Sequence, residues 1–176
     1  MCIAKIRRYR VKLLGRQRKV DAVADILRHS QHVVERQAAI EALTNSGDRR
    51  AVDLLIGALS DNDALVRATA AAGLGFLRDA RAIAPLIGVL SGHPVVGAIA
   101  ARSLVNIGAP AVEPLVAALR SYDTIVRFAA AMALGELRDS RAEAGLTAAT
   151  RDHDSDVRRV ASEALEMIRG TRSKWS

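Results

Sequence analysis

Aromatic side chains are nearly missing from this chain: Tyr9, Phe76, Tyr122, Phe128 and Trp175 are the only ones in 176 residues. Half the residues are nevertheless apolar, so the core must be built from Ala, Leu, Val and Ile. That material suits slender helices packed closely, and Ala, Leu and Arg all favour helix over strand. Cys2 is the single cysteine, which excludes an internal disulfide and fits a reducing, cytoplasmic setting. No apolar run is long enough for a membrane span. Arg and Lys break every apolar stretch near the N-terminus, so a signal-peptide core is lacking too.

Acidic residues are absent from positions 1–19, which hold Lys5, Arg7, Arg8, Arg10, Lys12, Arg16, Arg18 and Lys19. The remainder carries 18 basic and 19 acidic groups, so the net charge of +7 belongs to this arm. With Ile3, Ile6, Leu13 and Leu14, residues 1–18 have the pattern of an amphipathic cap helix. The same charge would also let the arm touch nucleic acid, acidic protein or anionic lipid. Residues 170–176 are expected to form a loose tail.

Catalytic signatures are missing as well. There is no G-x-S-x-G elbow, Walker loop or complete G-x-G-x-x-G, and Gly73-Leu-Gly75 falls inside a helical pattern. His29 and His32 straddle an expected turn without a third metal ligand. Neither a cofactor nor a metal is expected, and the chain is not expected to be an enzyme.

What is present is repetition. VERQAAIEAL (with Glu35 at the Val slot), VRATAAAGLG, VGAIAARSLV, VRFAAAMALG and VRRVASEALE share one phase, with Arg36, Arg67, Gly97, Arg127 and Arg158 at the same slot, 30 or 31 residues apart. A period of this size marks a stacked repeat array. Each unit predicts two antiparallel helices, over 19–45, 50–77, 81–107, 110–137 and 141–169. The first (A) helices are expected at 20–28, 50–59, 81–90, 111–119 and 141–149. Pro85 and Pro114 should mark A-helix starts, where a missing N–H costs nothing. The second (B) helices are expected at 32–45, 63–77, 94–107, 124–137 and 155–169. Their core stripe comprises the Val slot and the residues three, four and seven after the Arg slot. Asp48, Asp79 and Asp139 are placed to cap the following A helix.

The pattern D-x-x-V-R-x-x-A-A-x-A-L-G-x-L-x-D-x-R-A-x-x-P-L, carried best by Asp63 to Asp79 and Asp123 to Asp139, resembles HEAT-like repeats of the phycobilisome-lyase type over residues 20–169. The resemblance implies an all-α, right-handed solenoid. Members of that family serve as binding scaffolds, chromophore-lyase subunits, DNA-binding glycosylases and a di-iron hydroxylase. The hydroxylases carry His–Glu pairs, and no histidine here precedes a glutamate.

An Arg in the first turn of a helix faces the positive end of the dipole and needs an acidic partner. The Asp four residues earlier, in its own repeat or the next, can supply it, and Asp63, Arg67, Asp123, Arg127, Asp154 and Arg158 form a structural ladder in preference to a phosphate site. His93 and Gly97 lose both members together, and Arg36 has His32 at the Asp slot.

Outside the core stripe, the B helices of the middle repeats are apolar where water is expected. Leu65, Phe76, Val95, Ile99, Ile125, Phe128 and Met132 would form a patch, with Arg102 and Glu136 at its rim beside Glu41 and Glu163. Such patches mark interaction sites. The expected function is a non-catalytic scaffold that docks a helix or segment of another protein, or a second copy of itself. A bilin-lyase subunit and nucleic-acid binding through the arm are the alternatives. The opposite outcome for the patch is that neighbouring B helices bury residues such as Phe128.

Overall fold

The computed structural model describes residues 20–170, which contain helices and turns but no strand. Ten α-helices follow in series: α1 (Val20–His29), α2 (Val33–Thr44), α3 (Arg50–Ala58), α4 (Ala64–Leu77), α5 (Ile83–Gly88), α6 (Pro94–Ile107), α7 (Val112–Ala118), α8 (Thr124–Leu137), α9 (Glu143–Ala149) and α10 (Ser155–Arg169). Odd-numbered helices are the A helices and even-numbered ones the B helices. Each hairpin packs on the next in chain order, an α-solenoid. The basic arm, from Arg7 to Lys19, and the tail after Gly170 lie outside the described residues.

Local chemistry sets the helix ends. Asp63, Asp123 and Asp154 sit just before α4, α8 and α10 with extended backbones, and their carboxylates accept backbone N–H bonds from the first turn. His32 and His93 hold that place before α2 and α6 without a side-chain bond. Pro94 opens α6, where its lack of N–H is harmless. Three A helices are shorter than the pattern suggests. Single 3₁₀ turns at Ala80–Ala82, Ala109–Ala111 and Ser140–Ala142 precede α5, α7 and α9. Pro85 and Pro114, which cannot donate to the carbonyl four residues back, account for the first two. α9 has Gly145 at that slot and shows the same turn, which proline does not explain.

At the B-helix C-termini, Arg78 and Arg138 are left-handed, with φ of 52° and 51°, where Gly108 has φ 86° and Gly170 φ 68°. A side chain in that conformation costs about 1 kcal/mol relative to glycine. Arg78→Gly and Arg138→Gly should therefore each raise stability by about 0.5–1 kcal/mol, read as an increased urea midpoint at unchanged slope.

The core stripe falls where the period puts it. Val66, Ala70, Ala71 and Leu74 are all fully buried. The last repeat departs from this: Ser162, at the slot of Ala71 and Ala131, is exposed because no described helix follows α10. Asp156, Arg159, Glu163 and Glu166 share that exposure, giving α10 a polar outer side.

Ion pairs tie successive hairpins, but not in the register the spacing suggested. Asp63, Asp123 and Asp154 spend their carboxylates on capping. The carboxylate partner comes instead from the A–B turn of the next hairpin. Arg36 makes a two-pronged bond to Asp61, at 2.8 and 2.9 Å. Arg127 does the same with Asp152, also at 2.8 and 2.9 Å. Arg127 further donates to the carbonyls of Ser121 and Tyr122. Arg67 and Arg158 donate only to backbone carbonyls of their own turns, those of Asp61 and Asn62 and of Asp152 and His153. For Arg67 the reason is the residue two before the next cap, where Ser91 stands in the place of Asp61 and Asp152; for Arg158 it is that no described hairpin follows.

A second ladder runs along the opposite, B–A turns. Asp48, Asp79 and Asp139 accept the N–H of the residue two ahead and pair with its side chain, in Arg50, Arg81 and Arg141. Arg50 and Arg81 also reach back to Asp21 and Asp53 of the preceding A helix. Bonds from the Arg141 side chain, then from its backbone N–H, lower the Asp139 pKa to about 2.

Candidate functional site

The candidate site is the outward side of α4, α6 and α8. Leu65, Phe76, Val95 and Ile125 are 59%, 69%, 52% and 55% exposed, and Met132 is exposed beside them, so apolar side chains line the open side of three consecutive B helices. The helices present these residues because they sit just before the Val slot or five and nine after the Arg slot, positions that no neighbouring hairpin covers. Ile99 and Phe128 differ. Both are half-buried and packed on the core, although Ala98 and Arg159 at the same slots are exposed. Ala68, Ala129 and Val160 at those slots are buried outright. The exposed stripe is thus narrower than the sequence suggested.

Polar groups cross the face between helices. Gln37 donates to Thr69 between α2 and α4, at 3.2 Å. Arg102 pairs with Glu136 between α6 and α8, at 2.9 Å. Arg159 on α10 is paired with Glu163 and Asp156. These cations already face carboxylates, so the surface offers little to a phosphate backbone.

The face is interrupted by two hollows. One, of about 200 Å³, lies between α6 and α8 and is lined by Ala98, Ala101, Arg102, Val105, Met132, Ala133 and Glu136. The other, more open and about 510 Å³, lies between α4 and α6 beside Phe76 and Asn106. A third hollow, of about 310 Å³, sits on the A-helix side between α7 and α9, flanked by Arg120 and Arg141 over Val116, Leu119 and Gly145. Among the described residues no three His, Cys, Asp or Glu gather as metal ligands would. His153 lies against Arg127, with Nε2 3.0 Å from a guanidinium nitrogen. The buried Nδ1 of His93 has no hydrogen-bond partner.

Sequence reasoning missed Asp61 and Asp152. A signal was present: each stands 25 residues after an Arg-slot arginine, and the turns between them have serine instead. No single helix among the described residues is long and apolar enough to cross a membrane.

Comparison with known proteins agrees with this architecture. Residues 20–94 and 89–166 each match the HEAT repeats family. No curated protein sequence matches the chain. Among solved structures, the complex of CpcE and CpcF of phycocyanin lyase from Nostoc sp. PCC7120 is similar at 28% identity and a TM-score of 0.56, over 96% of this chain and 73% of that one. Two engineered proteins share the fold at 24% identity each. Their TM-scores are 0.55 and 0.51, over 95% of this chain and 87% and 89% of theirs. Serial hairpins, two matched segments and these structural likenesses agree: the chain belongs to the HEAT repeat family.

Proposed function

We propose that this chain is a non-catalytic docking module whose B-helix face binds a helix of a partner protein. The observation behind this is the exposed apolar stripe of Leu65, Phe76, Val95, Ile125 and Met132 on three consecutive B helices. Hydrophobic side chains at that spacing suit the apolar face of an amphipathic helix laid across the array. The Nostoc likeness supports it, since that structure is a two-chain complex.

The test uses exposed positions, because aspartate at the half-buried Ile99 or Phe128 would also damage the fold. Val95→Asp with Ile125→Asp should leave the helical circular dichroism and the melting temperature nearly unchanged. Affinity capture from native lysate should lose its specific partner at least tenfold, since two apolar anchors are worth about 1.5–3 kcal/mol each. Retention of the same partner by the folded double variant would end this reading. Light scattering on the two forms separates a second copy of the chain from a foreign protein as the occupant.

A second reading rests on the same likeness: the chain serves as one subunit of a bilin-chromophore lyase. That reading predicts a visible absorbance shift when free bilin is titrated into the chain with its partner present, and no shift refutes it. The first reading does not require the shift.

A further inference from the structure

The four junctions between successive B helices are not built alike. At three of them a glycine stands on one side of the contact. A methyl group on Gly73 would come within 2.6 Å of Thr44 Oγ1, across the α2–α4 junction. On Gly75 it would come within 2.8 Å of the Ser103 Cα, across α4–α6. On Gly135 it would come within 3.0 Å of the Ala164 Cα, across α8–α10. Helices can approach this closely only where a side chain is missing. At α4–α6 the approach is also sealed by a buried hydrogen bond, Ser103 Oγ to the Ala71 carbonyl at 2.8 Å.

The α6–α8 junction lacks each of these devices. The slot of Gly75 and Gly135 is Val105, and the slot of Ser103 is Ala133, which has no hydroxyl. Both residues line the hollow of about 200 Å³ that separates the two helices. The guanidinium–carboxylate clamp is missing too, because the Arg slot is Gly97 and the acceptor slot Ser121. The polar ties between the two hairpins are slight: Ser91 bonds the Asp123 carboxylate between their turns, and Arg102–Glu136 crosses the gap with side chains 69% and 38% exposed, a pair that contributes little. The junctions on the far sides of hairpins one and four, by contrast, have the clamps Arg36–Asp61 and Arg127–Asp152.

We infer that the α6–α8 junction is the built-in hinge of the array, dividing it into a stiff block of three hairpins and a stiff block of two. Among the described residues, α6–α8 is the junction that lacks both the glycine contact and the clamp; α4–α6 also has no clamp, with Ser91 facing Arg67, but keeps the Gly75 contact and the buried Ser103 bond. In a solenoid each unit touches only its neighbours, so one loose interface lets the blocks rock about it without disturbing either. The hinge crosses the exposed stripe between Val95 and Ile125, but it does not depend on what binds there.

Spin-label distances test it in the full chain carrying Cys2→Ser. Asn45, Asn106 and Met167 occupy one exposed slot in hairpins one, three and five. Cysteines are introduced in pairs for nitroxide labelling. The 106/167 pair spans the hinge and the 45/106 pair does not, although each spans two junctions. The 106/167 distance distribution should be about twice as broad as that of 45/106. Val105→Gly with Ala133→Ser rebuilds the Gly75–Ser103 contact and should narrow it to the control width. Equal widths in the unaltered background would overturn the inference. So would a 106/167 distribution that the folded closing variant leaves unchanged.

Discussion

Asp152→Ala should destabilise the chain by about 3 kcal/mol, measured by urea unfolding at neutral pH. The carboxylate meets Arg127 in a two-pronged bond, and the two side chains are only 8% and 4% exposed. Removing one member of a buried pair leaves the other charged, desolvated and without a counter-charge, a loss of roughly 3–5 kcal/mol. Arg127 retains its bonds to the Ser121 and Tyr122 carbonyls, which places the loss at the lower end. Asp61→Ala should cost less, because the Arg36 pair is 13% exposed on each side and water can partly replace the carboxylate. Arg127→Met combined with Asp152→Leu should recover part of the loss, since neither charge then remains buried.

The same pair sets an acid limb. The bond from Arg127 holds the Asp152 carboxyl below its ordinary value, against a smaller opposing effect of burial. A carboxyl whose folded value is depressed stabilises the fold above its unfolded value, about 3.9, and loses that contribution as pH falls through the folded one. Unfolding free energy should therefore drop below about pH 4, and the drop should be shallower in Asp152→Ala. An identical acid limb in the two proteins would show that the pair contributes nothing.

Gly97→Ala should cost about 2–3 kcal/mol, against the sign expected from helix propensity. Alanine in place of glycine inside an open helix gains roughly 0.5–1 kcal/mol. At Gly97 the added methyl would lie 2.1 Å from the Leu90 carbonyl oxygen, a backbone atom that no side-chain rotation can move. The first turn of α6 rides directly on the turn that follows α5, and the chain must shift to admit any side chain. Gly57→Ala is the matched control: nothing lies within 4 Å of the new methyl, and this variant should gain stability. Thermal melts of the two variants should move in opposite directions, and a stabilised Gly97→Ala would disprove the contact.

The close approach at Gly97 also explains what the sequence showed only as a coincidence. His93 and Gly97 replace the Asp and Arg of the repeat together, which looked like the loss of a pair. In the structure there is no room for an arginine at position 97, whatever stands at 93. The hairpin order and the B-helix limits were legible because apolar residues recur at a helical step inside a fixed period, and both signals are local. The ladder register was not legible. Asp63 and Asp61 are equally plausible partners on spacing alone, and only the capping bonds to Leu65 and Val66 show that Asp63 is already engaged. The width of the apolar stripe was lost for a related reason. Whether Phe128 faces water depends on how far the neighbouring B helix leans, and side-chain size across the junction decides that.

The cross-hairpin bonds described above join groups 25 to 34 residues apart, from Arg36–Asp61 to Arg102–Glu136. No such bond waits for distant stretches of polypeptide to find each other. Bonds this near in sequence favour fast folding, because little loop-closure entropy precedes each gain. Assembly can start at any adjoining pair of hairpins and spread outward.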